Sequence, residues 1–381
     1  MDKFAEIVEE INKHLECPNQ NWLFGAGISF DANIPLMYCL TRRVTTMLTD
    51  VDIIPLYKDI LADLPPEFHI EHVLSHLCDL IAIAERSKNK TAGINGTKYD
   101  VVKLRKLHSL IITAISTTVR YGYCEANVPL GTLEKIGKID DPIVKIDCHK
   151  KFAETLMSTR ANLLSRSTIT IFTTNYDTLL EDAFSLQNIE VNDGFVGSAI
   201  GSWHPETSYR KSLGINVVKL HGSVDWVNDP RYGLIRTRYG VSYISNDSDV
   251  LIYPQATKYV ETQKDPFAAL FSEFRYKLGN SNDNVLIICG YSFGDDHINS
   301  EIYQAINHIN SKSTIIAFVE ENNDFLIKLI KETNTVNKVF IVTKKGLYHG
   351  DETLISPIGI PELMWWKFES MITFLRDGVA L

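Results

Sequence analysis

VLIICGYSFGDDHI, residues 285–298, decides the architecture. Its first five residues, 285–289, form an unbroken apolar run, the pattern of a strand buried on both faces. Gly290 ends the run, and Asp295, Asp296 and His297 stand where a helix opens, with Asp296 placed to cap it. An apolar strand, a glycine turn and an acid-opened helix in succession are the grammar of a parallel α/β sheet. The same order recurs along the chain. Residues 22–24 run into GAGIS at 25–29, and a helical pattern follows over 36–48. TITIF at 168–172 is β-branched and leads through TTNYD at 173–177 to a short helix over 178–186. A strand over 216–220 ends in KLHGS at 219–223. Residues 314–319, 324–331 and 338–342 read as strand, helix, strand, and 250–253 and 267–278 add a strand and a helix.

These alternations predict the α/β class: a Rossmann-like, doubly wound, mostly parallel sheet with a helical insertion. The core comprises 20–48 and 167–343. Ligands of such sheets bind beyond the carboxyl ends of the strands, where all four motifs fall, so the motifs read together as one nucleotide pocket. Residues 50–166 differ in texture. Helical spacing over 70–84 and 101–119 flanks a polar stretch at 87–98, expected to be a surface loop. A second loop over 122–142 leads to a helix over 152–164. This region is the expected insertion. Residues 4–15 carry a helical stripe, and the aromatic tail 361–377 reads as a docked helix and a candidate subunit contact.

The chain has 381 residues, 45% hydrophobic and 22% charged, enough for one large α/β domain with an insertion. Its formal net charge of -9 argues against direct nucleic-acid binding, which needs clustered positive charge. Arg231, Arg236 and Arg238 are the one local basic group noted, and they read as a solvated loop. The six cysteines form no CxxC pair and read as free thiols in a reducing cytoplasm. The charged, helix-patterned start has no signal-peptide form, and the apolar runs are too short to span a bilayer. A soluble cytoplasmic protein is the expectation.

Taken together, GAGIS, TTNYD, KLHGS and GYSFGDDHI resemble the sirtuin family, and most closely its bacterial antiphage-defence branch, which hydrolyses NAD. The resemblance covers 22–48 and 167–342 and leaves most of 50–166 outside. It implies that Asn175 and His221 are catalytic, with Asn175 positioning the ribose and the attacking water and His221 accepting a proton. It implies that Asp177 holds the nicotinamide carboxamide. It assigns Gly25, Ala26, Gly27 and Ser29 to the phosphates, and Gly290 and Ser292 to the phosphates and adenosine ribose. Each residue also has a plain structural use. The glycines suit a tight turn, Asn175 and Asp177 suit helix caps, and a strand-end histidine suits a backbone bond.

Protein-deacylating sirtuins carry two zinc-binding CxxC pairs, which this chain lacks, so no zinc is expected. After Ile34 and Pro35 the deacylases continue Asp-Phe-Arg, where Leu36, Met37 and Tyr38 stand here. The segment between Asn175 and His221 is also longer. The resemblance therefore implies an NAD glycohydrolase that depletes NAD during phage infection. Such an effector is expected to be a homo-oligomer whose trigger lies in a partner protein, such as a HerA-type ATPase translocase. The alternatives are a non-catalytic NAD- or ADP-ribose-binding module, or an ADP-ribosyltransferase or deacylase of the same fold. HIEHVLSH at 69–76 places His72 and His76 one turn apart beside Glu71, a spacing open to metal but better read as an amphipathic helix. The 203–205 stretch reads as an exposed loop, and Tyr253, Gln255 and Tyr259 as channel-lining candidates.

Overall fold

The structure, a computed structural model, describes residues 2–17, 19–126, 131–158, 169–209, 214–238, 249–252, 265–279, 284–308, 311–332 and 335–378. At its centre lies an eight-stranded sheet. Its strands in chain order are β1 (Gln20–Phe24), β2 (Thr170–Thr173), β3 (Val191–Asn192), β4 (Ile215–Lys219), β5 (Asn284–Cys289), β6 (Ser313–Phe318), β7 (Val339–Thr343) and β8 (Gly346–Tyr348). Their spatial order is β8-β7-β6-β5-β1-β2-β4-β3, with all pairings parallel except β7 with β8. The chain order reverses beside β1, which makes the carboxyl ends of β1, β2, β4 and β5 the switch point of the sheet.

Alternate residues of each strand feed two different cores. Trp22, Phe24, Ile171, Val217, Val285 and Ile287 point to one face, and Leu23, Phe172, Val218, Leu286 and Ile288 to the other. Helices cover both faces, so β5 and β6 are buried along their full length. On the first face pack α1 (Lys3–Leu15), α6 (Asp147–Ser158), α7 (Leu179–Leu186) and α11 (Phe368–Asp377). On the second lie α8 (Phe267–Leu278), α9 (Asp296–Asn307) and α10 (Asp324–Lys331). The tail docks through Trp365, which is fully buried and donates its indole N–H to Thr343 O at 2.7 Å.

Four further helices, α2 (Met37–Met47), α3 (Ile54–Asp63), α4 (Ile70–Arg86) and α5 (Val101–Tyr121), build a core of their own. That core includes Tyr176 and Leu179, in the loop and helix that follow β2, and Val224, in the strand that follows His221. The 152–164 helix starts earlier, at Asp147, and its residues 159–164 lie outside those described. It joins the core of the sheet through Phe152 and Leu156.

Three readings are corrected. The polar stretch 87–98 is not a plain loop: Thr91–Ile94 and Thr97–Asp100 pair as a hairpin, with Asn95 at φ 48° and Gly96 at φ 81° forming its turn. The exposed-loop reading of 203–205 holds for His204 but not for Trp203, which ends a strand and whose ring packs on Phe195 at 5.0 Å and Trp226 at 5.6 Å. A second, antiparallel sheet went unanticipated. Its strands run in the order Asp249–Ile252, Gly222–Asp229, Gly233–Thr237, Ile200–Trp203, Phe195–Gly197. Nearly every residue of Gly222–Asp229 is buried, polar ones included, so the period-2 signal of a half-exposed strand never forms.

Candidate active site

The register of the large sheet sets the site. Cys289 pairs with Phe24, Phe24 with Thr173, and Thr173 with Lys219, so four strand ends share one row. Asn175 and His221 each lie two residues beyond that row, on adjacent parallel strands. The two strands they follow lie one spacing, roughly 5 Å, apart.

The glycines serve a close crossing of two loops. Gly25 N–H donates to Cys289 O at 3.2 Å and Gly27 N–H to Gly290 O at 2.9 Å. A Cβ on Gly25 would sit 2.5 Å from Gly290 O, and one on Gly290 would sit 2.6 Å from Ile28 N. Gly290 also has φ +66°, where a side chain is strained. The N–H groups of Gly25 and Gly27 are thus committed within the protein. Residues Ala26–Ser29 form a 3₁₀ turn, and the next α-helix opens only at Met37, so no helix N-terminus follows GAGIS directly.

Ser29, Asn175 and Asp177 form a buried chain of hydrogen bonds. Asn175 Nδ2 donates to Ser29 Oγ at 3.0 Å, and Ser29 Oγ donates to Asp177 Oδ2 at 2.8 Å. Asp177 Oδ1 accepts from Leu179 N, the first residue of α7, at 3.0 Å, so this carboxylate also braces the entry to that helix, whose N-cap is Thr178. Asn175 Oδ1 is buried and has no partner. An amide oxygen left over in an otherwise satisfied cluster is a free acceptor aimed at something the protein does not supply.

His221 sits in an acidic surround. Its Nε2 lies 2.8 Å from Asp295 Oδ2, and both side chains are buried. Asp295 Oδ1 accepts from His297 N at 3.0 Å and Ile298 N at 3.3 Å, so Asp295, not Asp296, caps α9. The reason is position: Asp295 is extended just before the helix, whereas Asp296 is already its first residue and is exposed. Burial alone pulls the His221 imidazole down, but the Asp295 carboxylate, with Glu71 beyond it, more than reverses this and leaves its pKa raised. Burial pushes Asp295 up, but the bond and charge of His221 and the helix N–H groups hold it below its usual range. Glu71, on α4, accepts from the Tyr176 hydroxyl, and burial raises its pKa against the pull of His221.

Behind these groups Lys219 is fully buried. Its ammonium donates to Asp177 O and pairs with Glu181 at 3.4 Å. Burial raises Glu181 to about 7 despite the neighbouring Lys219 and Arg238. The 290–295 loop is fixed by Asn299, whose Nδ2 donates to Phe293 O at 2.7 Å and offsets the left-handed φ of 59° at Phe293. Ser292 is exposed and its Oγ accepts from Gly294 N at 3.3 Å, apart from the buried cluster. Tyr253, Gln255 and Tyr259 lie outside the described residues.

Glu71, Asp295, Tyr176, Lys219 and Asn299 were missed as site residues. The one sequence signal was a charged or amide residue on an otherwise apolar buried surface. Neither the metal nor the basic-patch reading gathers support. His72 Nδ1 accepts from His69 N at 3.2 Å, His76 pairs with Asp63 at 3.3 Å, and among the described residues no group of three His, Cys, Asp or Glu is placed to hold a metal. Arg236 pairs with Asp193, and Arg238 with Asp225 at 3.0 Å, so the solvated-loop reading holds for Arg231, exposed in a turn, but not for the other two: Arg236 lies within a strand, and both answer buried acids.

Residues 169–339 match the SIR2-like domain. This SIR2-like segment runs from β2 to the start of β7 and contains Asn175, Asp177, His221, Gly290, Ser292 and Asp295. It excludes GAGIS and Glu71, and it is less than half of the chain. No protein of curated function matches the chain. Among solved structures, a Sir2 homolog–NAD complex aligns with TM-score 0.40 and 13% identity, covering 83% of this chain and 84% of that one. Among the described residues, no helix is long and apolar enough to cross a membrane.

Proposed function

We propose that the chain is an NAD glycohydrolase that converts NAD and water to nicotinamide and ADP-ribose. The observation that carries this reading is the shared register that sends Asn175 and His221 off adjacent strands together, with Asn175 Oδ1 unpartnered. The match of 169–339 to the SIR2-like domain supports it. Cleavage leaves an oxocarbenium-like sugar, and the enzyme must place a water or ribose hydroxyl and accept a proton from it. With Nε2 held by Asp295, His221 keeps Nδ1 for that proton, in the manner of a base oriented by a buried acid. Asn175 Oδ1 accepts from the attacking water or ribose. Asp177, fixed by Ser29, takes the carboxamide through its remaining lone pairs. Gly25, Ala26, Gly27 and Gly290 shape the diphosphate side by the close crossing of their two loops, the Gly25 and Gly27 N–H groups being already bonded across it, and Ser292 lies at its open edge.

Within this proposal the enzyme is an antiphage effector that acts by NAD depletion. It works as a homo-oligomer with a partner of the HerA-type ATPase class and uses no zinc. The support is the resemblance of its motifs together with the missing CxxC pairs. The test follows nicotinamide release from NAD by the purified chain, alone and with the product of its neighbouring gene. Release that Asn175→Ala and His221→Ala both abolish, in folded protein, is the expected result. Full activity in either variant sinks the site assignment, and deacylated or ADP-ribosylated protein products without free ADP-ribose would favour the transferase reading.

A further inference from the structure

Glu71 lies outside the SIR2-like segment, on α4 of the helical core, yet it meets the site through the Tyr176 hydroxyl. It is 2% exposed in the first turn of α4, beside the buried Ile70, Val73 and Leu74. Packing alone would put an apolar residue there, because an uncompensated buried carboxyl is costly. One oxygen accepts from the Tyr176 hydroxyl, and the other has no partner. Tyr176 stands between Asn175 and Asp177, and its carbonyl accepts from Val224 N at 3.0 Å and Ser223 Oγ at 3.3 Å. One residue therefore ties the asparagine loop to the strand that follows His221. Asp295 bonds His221 from the start of α9, and the charge of Glu71 on α4 acts on it in the same direction.

We propose that Glu71 is a positioning residue: it holds the Asn175–Asp177 loop through Tyr176 and acts as the second acid of the His221–Asp295 pair. The consequence for catalysis rests on the glycohydrolase reading, whereas the consequence for His221 does not. The Glu71 and His221 titrations are coupled, so ionised Glu71 helps His221 keep its proton.

The first test is histidine NMR on the full chain, with the His221 signal assigned by its loss in His221→Gln. In Glu71→Gln, which keeps an acceptor for Tyr176 but no charge, the His221 midpoint falls by about one pH unit. An unchanged midpoint overturns the proposal. The second test is kinetic: Tyr176→Phe lowers kcat about tenfold with KM little changed, as expected when a reacting group drifts from its place. Glu71→Gln retains more kcat than Glu71→Ala. Unaltered kcat in Tyr176→Phe overturns the positioning role. Wild-type protein that releases no nicotinamide, alone or with its partner, refutes the glycohydrolase reading, and the NMR titration still decides Glu71.

Discussion

At the ends of β1 and β2, Ser29, Asn175 and Asp177 exchange hydrogen bonds among an amide, a hydroxyl and a carboxylate that also accepts from the first residue of α7. At the ends of β4 and β5, His221 meets Asp295, and the charge of Glu71 on α4 acts on the same imidazole. The first half fixes geometry, because its amide, hydroxyl and carboxylate are bonded to one another and to the first residue of α7. The second half stores a proton, because burial and two acids act on one imidazole in opposite directions. Under the proposed glycohydrolase function, holding a sugar and moving a proton fall to different crossovers, and each half can be disturbed separately.

The largest effect is expected from removing the proton-handling group. His221→Ala should lower kcat by about 10²- to 10⁴-fold, the usual range for general acid–base catalysis. The measurement is nicotinamide release, with substrate affinity followed in parallel. If affinity falls as far as turnover, His221 is a binding group and the division between the halves fails.

Lys219 joins the halves. It donates to Asp177 O, pairs with Glu181, and stands two residues before His221. Lys219→Met should cost about 3–5 kcal/mol at pH 8, since it strands a buried acid. In the native protein Glu181 is raised to about 7 from 4.5, so its folded form binds the proton more tightly. Its contribution to stability is complete below 4.5 and is lost as pH rises towards about 7. The variant's deficit should therefore shrink at pH 5, where Glu181 is neutral. Urea melts at the two pH values give the comparison, and a deficit independent of pH would remove Glu181 from the account.

Next comes Asp295→Asn. The folded pKa of His221 is raised, so stability from its pairing is present below 6.5 and lost as pH climbs through the folded value. That of Asp295 is lowered, so its share is present above 3.8 and lost in acid. For catalysis the sign reverses, because His221 must shed its proton to act as a base. The acid limb of kcat/KM should lie above 6.5 in the native enzyme and move down in Asp295→Asn. The plateau should fall roughly ten- to hundredfold as the ring loses its orientation. A limb that stays in place would mean that another group titrates.

The two halves were not equally readable. Gly25, Asn175, Asp177 and His221 follow apolar runs directly, so the strand pattern itself exposes them. Their local partners, such as Leu179 for Asp177, also lie close in sequence. Asp295 and Glu71 act on residues 74 and 105 positions away, and no local pattern reports such a distance. Beside Asp296, Asp295 looks like one of two interchangeable caps. Beside His72 and His76, Glu71 looks like part of a metal spacing. The antiparallel sheet was hidden for a related reason: its buried acids, Asp193 and Asp225, are answered by Arg236 and Arg238 from other strands and turns, so polarity there did not mean exposure. Chemistry at a strand end is visible where the group and its support are neighbours in sequence, and invisible where folding supplies the support.

The smallest effect is expected in the geometric half. Ser29→Ala removes both the acceptor of Asn175 Nδ2 and the donor to Asp177 Oδ2, leaving two buried polar groups short of one bond each. The cost to stability should be about 1–3 kcal/mol. Turnover should drop about tenfold, because Asn175 is displaced but not lost and a small misplacement is a partial penalty. The pH at which His221 titrates should not move, since no charge in its half has changed. Ser29→Thr keeps the hydroxyl and should restore most of the rate if the added methyl fits against the buried wall. A shift of the acid limb in Ser29→Ala would show that the halves exchange protons, and the separation of geometry from acid–base chemistry would then have to be abandoned.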